Sequence, residues 1–155
     1  MIKRQLRIER INAVLKEYLA AKTAAGLLTA QTQPNPSYGY SQGWDPKAGI
    51  DYMNNLEATY IIRIYAEFEA GLRDYWLTFR KRETRPKMFQ LLNEAIPTQH
   101  FPQDTIDQAD DVREYRNFLV HDIEDEPGGD IVIFAIQDAK KHLCAYTACL
   151  DPAWR

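Results

Sequence analysis

The chain has 155 residues, 45% of them hydrophobic and 26% charged, and its 22 acidic and 19 basic side chains leave a net charge of −3. That length suits one domain with a real core, so residues 1–155 read as a single unit. The charge excludes a global attraction to nucleic acid and leaves only local basic patches for such binding; no apolar run approaches the roughly 20 residues that span a bilayer.

The first helix is expected over residues 3–25. Ile2, Leu6, Ile11, Val14, Leu15, Tyr18 and Leu19 recur at helical spacing, with Lys3, Arg4, Arg7, Arg10 and Lys16 between them. This opening alternates charge with apolar residues and lacks the apolar centre of a signal peptide, which implies a cytoplasmic protein. Residues 29–50 hold three prolines and several Gln, Asn and Ser without periodicity, the composition of a long loop. Tyr38, Tyr40 and Trp44 within it either pin the loop to the domain or form a stacking or partner surface.

A second and longest helix is expected over residues 51–79, where Leu56, Tyr60, Ile61, Ile64, Tyr65, Phe68, Leu72, Tyr75 and Trp76 give an apolar face wide enough for the centre of a bundle. Arg63, Glu67, Glu69, Arg73 and Asp74 supply its polar side. It ends in Arg80-Lys81-Arg82, cations that suit a helix C-terminus. Pro86 fits the first turn of a short third helix carrying Met88, Leu91, Leu92 and Ile96 and closed by Pro97. A fourth helix covers 105–121, with Asp104 or Thr105 as its N-cap. Residues 124–130 read as a turn and 131–136 as a short strand or an extended lead-in. A last helix, 137–150, contains Cys144 and Cys149, which face different ways and read as buried thiols. The fold expected is all-α, an up-and-down bundle of about five helices with at most a short strand pair near 123–136.

The chemistry concentrates in Arg116-Asn117-Phe118-Leu119-Val120-His121. Arginine holds positive charge at any pH and histidine exchanges a proton near neutrality. On a wheel of about 100° per residue, Ala109, Val112, Tyr115, Leu119 and Val120 share one side, while Asp110, Arg113, Glu114, Asn117 and His121 share the other. Arg116 lies at the apolar edge, about 140° from His121. The two therefore meet on one phosphate only if the helix unwinds or if a second copy supplies the missing half across a two-fold axis. In such a dimer, built through the helix 105–121, Phe118 points outward as an interface anchor. The cleft would cleave RNA without a metal: histidine takes the 2′-OH proton, the oxygen attacks phosphorus, and arginine stabilises the phosphorane, with Asn117 as positioning group. DNA lacks the 2′-OH and could not follow this path. The competing structural reading pairs a buried Arg116 with Glu67 or Glu69 and has His121 cap its own helix.

Val112 through His121 resembles the signature helix of the HEPN superfamily, which reads R-N-x3-H or more loosely R-x4-6-H. Leu56-Glu57-Ala58 and Ala66 to Arg73 resemble the preceding long helix of prokaryotic HEPN-like nucleases of the MAE type. Ala139 to Leu143 and Leu150 to Arg155 are similar to that group's ending. The resemblance implies a homodimeric, metal-independent endoribonuclease without cofactor, a toxin paired with an antitoxin protein or a phage-defence effector. It assigns catalysis to Arg116, His121 and Asn117, with Arg113 and Glu67 or Glu69 as supporting groups. Both motif positions are filled, which argues against a dormant member. The alternative is a non-catalytic HEPN-type interaction or nucleotide-sensing module.

Charge is the departure. Residues 104–130 carry ten acidic side chains and two arginines, which repels RNA unless basic groups elsewhere guide it. Arg80, Lys81, Arg82, Arg85 and Lys87, five cations in eight residues, are the candidate RNA-backbone contacts, with Lys3, Arg4, Arg7 and Arg10 as possible additions; the bland reading is a solvated helix end. The three histidines and two cysteines have no zinc-site spacing, and neither a Walker-type loop nor a Gly-x-Ser-x-Gly elbow is present. His142 reads as a surface residue.

Overall fold

A computed structural model of the chain describes residues 3–94, 101–121 and 130–154. It is all-α. Six α-helices are found among these residues: α1 (Lys3–Thr32), α2 (Pro36–Ser41), α3 (Pro46–Asp74), α4 (Met88–Asn93), α5 (Gln103–His121) and α6 (Ile136–Cys149). A π-helical turn, Tyr75–Phe79, prolongs α3.

Cross-helix pairs fix the directions. Glu17 at the middle of α1 meets Arg63 of α3, and Arg7 near the start of α1 meets Asp74 at the end of α3, so these helices are antiparallel. Gln108 faces His142 and Tyr115 faces Phe134, so α5 and the chain entering α6 also run antiparallel. The arrangement is up-and-down. Its core is one continuous cluster in which Ile11, Ile64, Trp76, Leu92, Ala109, Val112, Ala139, Leu143 and Tyr146 are fully buried. The π turn lets Tyr75 and Trp76 both point inward, and Trp154 from the tail meets Tyr75 edge-on at 5.4 Å. Arg4 ties α1 to the tail end of α6, donating to the carbonyls of Ala148 and Leu150.

The segment 29–50 is not a long loop. The helix α1 continues through the Ala-rich stretch to Thr32, because Ala, Leu and Gln favour helix even where the apolar stripe fades. Pro36 and Pro46 then start helices instead of breaking them, each at the first helical position behind a capping residue, Asn35 or Asp45. Trp44 lies against the backbone at Gly49, where a Cβ would collide with its ring, so this aromatic pins the connection. Tyr38 and Tyr40 remain exposed.

Smaller differences have local causes. The helix α4 begins at Met88, two residues after Pro86, with Gln90 Oε1 accepting from the Lys87 N–H. Neither Asp104 nor Thr105 caps α5, which already starts at Gln103. No strand occurs among the described residues: 131–135 is an extended lead-in, and 122–129 lie outside them, as do Ile96, Pro97 and His100. Phe118 is buried, not an outward anchor, and Val120 is exposed. Phe118 stacks on Tyr115, which meets Phe134 of the lead-in, a neighbour that a wheel for one helix cannot show. Neither cysteine is in a disulfide; both are half-buried, and burial pushes each thiol's pKa up.

Candidate functional site

Tyr65 and Glu69, one turn apart on α3, face Arg113, Arg116 and Asn117, one turn apart on α5. The start of α4 closes the third side with Lys87 and Phe89. Together they line a cleft of about 390 Å³.

Arg116 is half-buried in its wall. Its Nη1 donates to Asn117 Oδ1 at 3.0 Å, and its guanidinium carbon lies 5.6 Å from the centre of the Tyr65 ring. Its Nε is buried with no hydrogen-bond partner among the described residues, and so is the Tyr65 hydroxyl. Burial drives the Tyr65 pKa far up, with the Glu69 charge adding to it, so the phenol stays protonated and able to donate.

The other walls are better paired. Arg113 binds Asp110 one turn back and Glu114 beside it, and the Asp110 hydrogen bond raises its pKa further. Its guanidinium carbon stands 5.8 Å from the centre of the Phe89 ring. Glu69 holds Arg73 at 2.9 Å, and Arg73 also donates to the Thr84 carbonyl, anchoring the 80–87 segment to α3. Glu69 is therefore the carboxylate that reaches the cleft, and its ion pair is with Arg73; Glu67 does not line it.

His121 is the exposed last residue of α5 and does not line the cleft. The helix stays regular up to it, so no unwinding turns the ring toward Arg116. Within one copy the two stand about 140° apart around the axis and roughly 7.5 Å apart along it. Asn117, one turn before His121, lines the cleft beside Arg116 and accepts from it.

The basic residues divide. Lys87 lines the cleft. Arg82 pairs with Glu94 at 3.0 Å and covers the Trp76 ring, and Arg85 pairs loosely with Glu83. Lys81 is exposed in a left-handed conformation (φ 57°), and Arg80 is half-buried. Arg7 is held by Asp74 and Arg4 by carbonyls, so neither extends the patch freely. His142 is half-buried, with Nδ1 2.8 Å from Gln108 Oε1.

Three cleft residues, Tyr65, Met88 and Phe89, carry no functional signal in the sequence, and Met88 is core. Tyr65 sits in the apolar stripe of α3, yet a buried phenol needs a partner. Phe89 falls off the stripe of Met88, Leu91 and Leu92, which marks it as an exposed aromatic. Among the described residues no helix is long and apolar enough to cross a membrane, and no cluster of three His, Cys, Asp or Glu has the geometry to hold a metal ion. No protein-family model, curated protein or solved structure matches the chain.

Proposed function

We propose that the protein is a metal-independent endoribonuclease whose site is shared between two copies. Arg116 and Asn117 of one protomer hold the scissile phosphate, and His121 of its partner takes the 2′-OH proton. The observation that carries this reading is the state of Arg116: a half-buried guanidinium lining a cleft, held by Asn117 and with no acidic partner among the described residues. A cation held this way can stabilise a growing negative charge with little reorganisation. His121, exposed on the same helix, is available to a second copy. The resemblance of the Arg116–His121 stretch to HEPN nucleases supports the same assignment, with action in the cytoplasm as the toxin of an antitoxin pair or as a phage-defence effector.

The test is complementation between two dead variants. Arg116→Ala and His121→Ala should each lower RNA cleavage in chelator-containing buffer by at least about 100-fold. Mixing them should restore activity, because a heterodimer carries one intact pairing of Arg116 with His121 across the axis. Failure of the mixture to recover, with both variants folded and exchanging subunits, would remove the shared site. The separation of His121 from the cleft also fits a second reading, a non-catalytic interaction or nucleotide-sensing module. That reading expects no cleavage by the wild-type dimer.

A further inference from the structure

We propose that the cleft beside Arg116 is a nucleotide subsite in which Phe89 stacks the base next to the cut and Lys87 with Arg116 holds its phosphate. The assignment of the nucleotide to RNA rests on the ribonuclease reading above; the subsite itself rests on the cleft.

Phe89 is half exposed (52%), although its neighbours Met88, Leu91 and Leu92 are buried, so the core does not require an aromatic there. The Arg113 guanidinium lies against its ring, and Asp110 fixes Arg113 in turn. A ring steadied on one side with half its surface open is a platform for a flat π system. The charges of the cleft are not equivalent. Glu69 is matched by Arg73 and Arg113 by Asp110, which leaves Lys87 and Arg116 as the cations without an acidic partner among the described residues. Beneath the surface of the cleft, the Tyr65 hydroxyl and the Arg116 Nε are buried donors with no acceptor among the described residues, so the groups that face a ligand are the outer part of the Arg116 guanidinium and Lys87. The volume, about 390 Å³, lies within the roughly 300–1,000 Å³ of small-ligand clefts.

An exposed aromatic and two unmatched cations in one cleft describe a planar, anionic ligand. A nucleoside monophosphate meets all of these requirements. Inorganic phosphate matches only the cations.

Calorimetric titration of the purified full chain with nucleoside 3′-monophosphates and with inorganic phosphate tests this. Nucleotides should bind more tightly than phosphate. Phe89→Ala should erase that advantage, on the order of tenfold, while leaving phosphate binding unchanged, and Phe89→Trp should restore it. Lys87→Ala should weaken both ligands. Equal affinity of wild type for phosphate and nucleotides, or an unchanged Phe89→Ala, overturns the subsite. Cleavage is read separately. A chain that binds nucleotides through Phe89 but cuts no RNA refutes the nuclease and leaves the subsite. A chain that cuts RNA with the same base preference and nucleotide affinity in Phe89→Ala refutes the subsite and leaves the nuclease.

Discussion

Two polar sites lie between the helices of this bundle, and they are built on opposite plans. At the Glu57 site both carboxylate oxygens are used. One accepts from the Tyr18 hydroxyl of α1 at 3.2 Å, and the other accepts from the Ile136 N–H at the start of α6 at 2.8 Å. The first residue of α6 has no side-chain cap of its own, so a glutamate from another helix provides it. At the Arg116 site the groups are equally enclosed, but two donors have no acceptor. The Thr29 hydroxyl and the indole N–H groups of Trp44, Trp76 and Trp154 are unmet too; Trp76 and Trp154 sit in the closed aromatic core, and Trp44 lines an apolar groove with Leu28 and Tyr52. A polar group that closes on its own protein holds the fold together. One left unmet in the wall of a cleft adds no such bond to the fold.

The largest expected effect separates the two sites on stability. Glu57→Ala removes two charge-assisted hydrogen bonds and the cap of α6, which should cost about 2–3 kcal/mol. For a chain of this length that lowers the melting temperature by roughly 5–10 °C. Arg116→Ala should cost about 1 kcal/mol or less, because the lost Asn117 bond is offset by relief of an unmet, half-buried charge. Thermal melts of the two variants side by side check the order. If Arg116→Ala proves the more damaging, the open site is structural after all.

A finer comparison uses three tyrosines that differ in what their hydroxyls do. Tyr146 donates to the Leu92 carbonyl at 2.9 Å inside the core, so Tyr146→Phe should cost about 1–2 kcal/mol. Tyr18→Phe, which loses one bond to Glu57, should cost about 1 kcal/mol. Tyr65→Phe removes a hydroxyl with no partner and should be neutral to within about 0.5 kcal/mol. Urea unfolding resolves differences of this size. A Tyr65→Phe cost matching that of Tyr146→Phe would mean the phenol is already satisfied in the free protein.

What the sequence revealed and what it hid follow the same division. The apolar stripes of α3 and α5 announced their helices because periodicity is a local property, and the angular divergence of Arg116 and His121 follows from spacing alone. The segment 29–50 misled because composition counts prolines without knowing their register, and Pro36 and Pro46 sit where a helix tolerates them. Phe118 and Val120 exchanged places because the lead-in to α6 covers one flank of α5. The cleft itself was legible only in pieces. Arg113, Arg116, Asn117, Glu69 and Lys87 were singled out from three separate segments, but Tyr65 and Phe89 acquire a meaning only once α3, α4 and α5 converge.

The smallest effect concerns a third kind of polar group, neither closed nor aimed at a cleft. Asp111 lies on α5 beside Asp110 and within reach of Asp107, opposite His142. Burial first, then the two neighbouring carboxylates, raise its pKa above the ordinary 3.8, while His142 pulls the other way. The sign follows from linkage. Between the ordinary value and the raised one the folded chain binds more protons here than the unfolded chain, so stability falls as pH rises through that window. Above it, the charged carboxylate is a net cost. Asp111→Asn should therefore stabilise the protein at pH 7, by no more than about 0.5 kcal/mol, since the side chain is partly exposed and solvent screens the repulsion. The gain should shrink as pH falls into the window and vanish near pH 3, where wild-type Asp111 is itself neutral. Melting curves at pH 7 and pH 3 give the comparison. A gain that persists at pH 3 would place its origin in packing or helix propensity instead of charge.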